Sequence, residues 1–148
     1  MLDLEKIKEE LATLDLEGKT QMCLQTVAGC TDPFYGAGSM RDLKHSETEF
    51  VHFLFDIPYI NYILEKEQMF RSRIMKLTPK SCLSWHVDRR KRKHIPIETN
   101  QGCFFVVEDK IIRFPADGSI YTLDAQRYHT AVNASFEYRT HIVGCIPL

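Results

Sequence analysis

His86 and Asp88, in the stretch Leu83-Ser-Trp-His-Val-Asp88, stand two residues apart. In an extended chain alternate side chains point to the same face, so one imidazole and one carboxylate can reach a common ion. A second imidazole, His129, follows 43 residues later in Tyr128-His-Thr-Ala-Val-Asn133. Two histidines and a carboxylate on one face of a metal leave the opposite positions open, which is the ligand set of non-heme Fe(II) oxygen chemistry. Any one of these histidines alone is better read as a hydrogen-bonded strand residue. Together, in strand-like sequence and followed ten residues later by Arg139, the three are read as metal ligands.

Arg139 and His141 share a face of the last apolar run by the same two-residue rule. An Arg turned into a barrel is an unpaired buried charge unless an anion meets it there. A carboxylate would match its fork with two parallel hydrogen bonds. The competing reading is an ion pair with Glu137 or Glu108. For His141, core packing and ligand contact both stay open. Arg92 and His94 enter the run His94-Ile-Pro-Ile97 in matching phase and are expected to turn inward together, whereas Arg89, Lys91 and Lys93 read as a solvated edge.

These side chains need a frame, and the pattern after Phe70 supplies one. Short apolar runs alternate with turn residues: Ile74–Leu77, Lys93–Ile97, Cys103–Val107, Ile111–Phe114, Ser119–Leu123, His129–Val132 and Arg139–Ile146. Short strands at this spacing predict an all-β barrel or double-sheet jelly roll. Ahead of it, Leu4, Ile7, Leu11 and Leu14 recur at helical spacing with Gly18 as a stop, which predicts a helix over 3–17 packed on the outside of the sheet. Gln21–Val27 reads as a weak first strand, and Ala28–His45, broken by Gly29, Pro33, Gly36 and Gly38, as a loop. That loop lacks the Lys-Ser/Thr ending of a phosphate cradle. It reads as surface, with Tyr35 or Arg41 lent to a site mouth as a second reading. Thr48–Phe55 is ambiguous between strand and helix, and Pro58 opens a helix over 57–66. His45 and His52 lie outside the constellation.

The whole chain, 148 residues at 44% hydrophobic and net charge −1, fits one domain over 1–148, with 1–70 as a helical and loop lead and 71–148 as the core. Near-neutral charge argues against a dedicated nucleic-acid binder. No apolar run is long enough to span a bilayer, and the N-terminus lacks a signal-peptide pattern. The five cysteines are odd in number and show no CxxC spacing, so free thiols are expected rather than a disulfide frame or zinc site. Cytoplasm is the default compartment.

Residues from about Arg73 to Gly144 resemble the aspartyl/asparaginyl β-hydroxylase family of Fe(II)/2-oxoglutarate oxygenases. The shared marks are the Arg-Ser-Arg-Ile-Met run ending at Met75, the Pro79 turn, His86-Val-Asp88, His94-Ile-Pro-Ile-Glu-Thr-Asn100, His129-Thr-Ala-Val-Asn133 and Arg139-Thr-His-Ile-Val143. The resemblance implies a double-stranded β-helix, Fe(II) on His86, Asp88 and His129, and 2-oxoglutarate held by Arg139 with help from Arg92 and His94. It implies oxidative decarboxylation of 2-oxoglutarate by O₂ to succinate and CO₂, coupled to hydroxylation of an unactivated C–H. Some members carry glycine where this chain has Asp88, and others place a serine contact to the co-substrate where Met75 stands. The substrate is open between a peptide or protein side chain, a free amino acid and a small anionic metabolite. A metal-binding jelly roll serving as sensor or interaction module is the alternative, and it would not need Arg139, Arg92 and His94.

Overall fold

The structure, a computed structural model, describes residues 1–41 and 43–148. Helix α1 (Leu4–Leu11) is capped by Asp3, whose carboxylate accepts the Lys6 N–H at 3.1 Å. It is shorter than the predicted 3–17. At its end Thr13 Oγ1 turns back onto the Glu10 carbonyl at 2.7 Å, a local bond that competes with the helix ladder. Leu14 and Leu16 still pack on the core from the turn that follows, which is why the apolar period outruns the helix. Strands β1 (Gln21–Cys23) and β2 (Gln25–Thr26) divide the predicted 21–27 run between two sheets. A single 3-10 turn at Glu47–Glu49 and the two-residue strand β3 (His52–Phe53) resolve the ambiguous stretch. Helix α2 (Pro58–Lys66) starts on its proline as expected.

Eight strands then form the frame: β4 (Phe70–Leu77), β5 (Ser81–Cys82), β6 (Arg92–Glu98), β7 (Cys103–Val107), β8 (Lys110–Ile112), β9 (Tyr121–Leu123), β10 (His129–Asn133) and β11 (Arg139–Cys145). One sheet runs β1-β4-β11-β6-β9 and the other β5-β10-β7-β8, with every pairing antiparallel. The first, eighth, third and sixth of the eight strands share one sheet, and the second, seventh, fourth and fifth share the other. That interleaving is a jelly roll.

The larger sheet separates two environments by strand alternation. Ile74, Ile95, Ile97 and Ile142 face outward and pack under α1 and α2 against Ile7, Ile60, Ile63 and Leu64, all buried. Full burial of each such side chain stabilises by about 1.5–3 kcal/mol. The alternate residues point between the sheets, and here they include Arg71, Arg73, Arg92, His94, Arg139 and His141, also buried. Only a smaller apolar cluster, around Leu77, Phe105, Phe114 and Leu123, fills the inter-sheet space beside them. A jelly roll whose helices carry the main core is thus free to keep a charged interior.

Candidate metal and anion site

His86 and His129 meet through the backbone first. Each donates its N–H to the other's carbonyl, at 3.1 and 2.9 Å. The pair is an isolated bridge, so His86 sits on a single ladder rung rather than in a regular strand, and Asp88 follows in a loop tied down by its N–H to the Ala125 carbonyl at 2.8 Å. The two-residue phase still holds. His86 Nε2 lies 3.8 Å from one Asp88 oxygen and His129 Nε2 lies 3.5 Å from the other. One donor atom from each of the three residues falls within 4.8 Å of the others.

The remaining ring nitrogens are already engaged. His86 Nδ1 lies 2.7 Å from the Ser84 carbonyl and His129 Nδ1 lies 2.8 Å from the Arg127 carbonyl. A carbonyl only accepts, so each Nδ1 must carry the proton and each Nε2 presents a lone pair inward. This is the orientation that metal-bound histidines take. Burial pushes the Asp88 carboxyl up, but the contact with His129 and the nearby Arg92 and His86 outweigh it and hold the group below the ordinary carboxylate range. Burial likewise pulls His129 down, and its bonds to Asp88 and the Arg127 carbonyl outweigh that and raise it. The cluster is therefore built to hold a cation at the position between these atoms, whether a proton or a metal ion.

The three side chains open onto a cavity of about 620 Å³ between the sheets, which Arg71, Arg73, Arg92, His94 and Arg139 also line. A comparably large depression, about 650 Å³, lies around Lys76, Glu98 and Tyr138, away from the three candidate ligands. Arg139 is 4% exposed and rests against the Phe105 ring, with its Nε unpartnered. Neither Glu137 nor Glu108 pairs with it; Glu108 is bonded to Arg127 instead. Burial pulls its guanidinium down to about 10, the electrostatic signature of a cation held without an anion. The turn that delivers it is fixed by Asn133, whose amide donates to the Leu77 and Glu137 carbonyls at 2.9 and 2.8 Å.

His94 and His141 are brought together, Nδ1 to Nδ1 at 3.0 Å, with both Nε2 atoms buried and unpartnered. Burial, with Arg139 close by, drives both well below the usual histidine range. Both rings are therefore neutral, one donating to the other. Arg92 turns inward with His94 as expected and lines the cavity. Its guanidinium is occupied by Glu47, at 3.1 to 3.2 Å, and by Asp88 at 3.6 Å. It braces the Asp88 carboxylate from the cavity side.

Arg41 lines the cavity, as the second reading of its loop has it, together with Gly38, Ser39 and Met40; Glu47 and Gln21 line it too, and nothing in their local sequence marks them for it. Tyr35 does not reach the cavity but stacks on Phe50. Arg71 and Arg73 were findable, because they share the two-residue phase of Leu77 on β4 just as Arg139 and His141 do on β11. All five cysteines are free.

Fold and site together define a jelly-roll β protein with a candidate metal-holding cluster of two histidines and one carboxylate beside a cationic cavity. The chain belongs to the aspartyl/asparaginyl β-hydroxylase family, whose model matches residues 3–144. It is also 30% identical over 97 residues to the L-proline cis-4-hydroxylase of Rhizobium meliloti (strain 1021), covering 59% of this chain and 34% of that protein. The chain thus spans about a third of the length of this curated relative. Among solved structures it is similar to a cupin superfamily protein from Desulfitobacterium hafniense DCB-2 (10% identity, TM-score 0.40, 52% of this chain and 67% of that one). A second likeness is to a predicted oxalate decarboxylase from Thermotoga maritima (17% identity, TM-score 0.44, 58% and 73%). These likenesses are distant, and the fold rests on the strand order itself. No helix is long and apolar enough to cross a membrane among the described residues.

Proposed function

We propose that this chain is an Fe(II)/2-oxoglutarate-dependent oxygenase that hydroxylates an unactivated C–H of a small molecule or peptide side chain. His86, Asp88 and His129 hold the Fe(II), and Arg139 receives a carboxylate of 2-oxoglutarate. One observation carries the reading: three inward donor atoms and an unpaired buried guanidinium face the same cavity. When bound, the iron and 2-oxoglutarate supply the oxidising chemistry, with 2-oxoglutarate and O₂ consumed to succinate and CO₂. The chain's own residues do the rest. The Ser84 and Arg127 carbonyls fix the tautomers of the two histidines, Arg92 steadies Asp88, and Arg139 orients the co-substrate by a two-pronged contact. The family description and the L-proline hydroxylase support this reading, and L-proline is the first substrate to try.

The test is anaerobic addition of Fe(II) and then 2-oxoglutarate to the purified chain. A weak visible charge-transfer band that grows with 2-oxoglutarate and saturates is the expected result. Iron binding with no such band, and no succinate on admitting air, would favour a metal-binding module without oxygenase activity.

A further inference from the structure

Four of the six arginines that line the cavity are buried, and among the described residues only two of those four meet an acid. Arg71 bonds to Glu47 at 2.9 Å and to the Gly36 and Gly38 carbonyls. Arg92 shares Glu47 and reaches Asp88. Arg139 is the co-substrate anchor of the reading above, and Arg73 is left over.

Arg73 is 6% exposed. Its Nη1 donates to Gln21 Oε1 at 3.1 Å, and its Nε has no partner. Gln21 is itself positioned, accepting the Gly38 N–H at 2.9 Å through the same oxygen. A neutral amide therefore meets the guanidinium where a charge is called for. Cys23 beside it cannot supply that charge, because burial pushes the thiol up to about 11. A buried guanidinium without a counterion costs several kcal/mol of desolvation. Side chains kept at such a cost are expected where an anionic ligand binds.

The two leftover cations enter the cavity from different rungs of the sheet. Arg73 lies opposite Val143 on β11, whereas Arg139 lies opposite Leu77 on β4. That is four residues along β4, or about 13 Å of strand. Arg71, Arg92, Glu47 and Cys23 act on Arg73 and Cys103 acts on Arg139, while both guanidinium groups act on His94 between them in the cavity lining. With His94 and His141 neutral, the cavity's four buried guanidinium groups face two carboxylates among the described residues, Glu47 and Asp88. A co-substrate at Arg139 and the metal leaves the charge of Arg73 unanswered.

We infer that Arg73, steadied by Gln21, receives a carboxylate of the molecule to be hydroxylated, so that the substrate class is a carboxylic acid or amino acid entering beside the Gly38–Arg41 rim. This assignment rests on the oxygenase reading for the identity of the second anion. It makes Arg73 a specificity-determining residue: a guanidinium pairs bidentately with a carboxylate and offers nothing comparable to an amide.

The test uses the full chain loaded with Zn(II), with and without 2-oxoglutarate, in wild type, Arg73→Gln and Arg73→Lys. Acetate, benzoate, cyclopentanecarboxylate and L-alanine are titrated calorimetrically, each beside its primary amide. At least one acid is expected to bind wild type while its amide does not. Arg73→Gln should weaken that acid at least tenfold, and Arg73→Lys should fall between. The affinity for 2-oxoglutarate should change less than threefold. Unliganded Arg73→Gln should melt no lower than wild type, since it removes an unanswered charge. Failure of every acid to bind, or equal binding to Arg73→Gln, would overturn the assignment. So would a loss of 2-oxoglutarate affinity of threefold or more in Arg73→Gln, or a marked fall in melting temperature of both variants. A wild type that binds the acids but no 2-oxoglutarate would instead sink the oxygenase reading and leave Arg73 standing.

Discussion

Glu47 and Arg92, 45 residues apart in the chain, form a largely buried ion pair whose shortest contact is 3.1 Å. The same carboxylate also bonds Arg71 at 2.9 Å. One acid thus neutralises much of two buried guanidinium groups, and through Arg92 it is linked to Asp88. Its removal leaves two cations short of a partner inside the protein. Breaking a buried pair from one side costs about 3–5 kcal/mol. Glu47→Ala is therefore expected to lose stability on that scale in urea unfolding, and Glu47→Gln less, because its amide oxygen still accepts a hydrogen bond.

The same pair sets an acid limit. Burial raises the Glu47 carboxyl, but Arg92 and Arg71 outweigh it and the group ends below its ordinary value. A group whose folded pKa is depressed contributes stability above its unfolded pKa, about 4.3 for Glu. That contribution is lost as pH falls through the lower folded value. Wild type should therefore lose stability on acidification below about pH 4 more steeply than Glu47→Gln. The gap between the two should narrow as pH drops, which paired unfolding curves from pH 7 down to 3 would show.

Glu47 also marks where reading the chain alone stops. His86, Asp88, His129 and Arg139 were legible because strand alternation is local: two residues fix a face, and the turn residues between runs fix the strands. The jelly roll was legible for the same reason. Glu47 lies in a single 3-10 turn within a stretch that suits strand and helix equally, and its partners Arg71 and Arg92 are 24 and 45 residues away. No period connects them. Arg92 shows the same limit: its inward phase is visible in the sequence and its counterion is not. The end of α1 was hidden differently, because Leu14 and Leu16 obey the apolar period while packing from a turn.

That last difference is measurable. Ile7 is fully buried between α1 and the sheet, whereas Leu11, at the helix end, is only partly buried. Ile7→Ala is expected to cost about 2–5 kcal/mol through lost burial and the cavity left behind. Leu11→Ala should cost clearly less. Equal losses in chemical denaturation would mean that the helix continues past Leu11 and buries both side chains alike.

His86→Ala and His129→Ala remove a ligand each while leaving the backbone bridge that joins the two positions. Both variants should fold and both should lose iron. Removing even a residue that merely supports a ligand weakens metal affinity about 10–100-fold, so loss of a ligand itself should exceed about tenfold. Metal content after dialysis against a weak chelator, beside a circular dichroism spectrum, checks both halves. Wild-type iron content in either variant would count against the assignment.

Arg139 separates the metal from the co-substrate. Its guanidinium is buried, unpaired by any acid among the described residues, and set against Phe105. Arg139→Lys keeps the charge but replaces a planar fork by a compact ammonium. It is expected to lose about 1.5–3 kcal/mol of contact with a carboxylate, roughly one to two decades in affinity for 2-oxoglutarate. Arg139→Ala should lose more, because nothing then balances the carboxylate. Fe(II) binding should hold in both, since Arg139 touches none of the three metal-facing residues. Titrating 2-oxoglutarate into iron-loaded wild type and the two variants reads the effect directly. Equal affinity in all three would make Arg139 a residue of the fold and move the co-substrate to Arg73, the other buried guanidinium in the cavity without an acidic partner among the described residues.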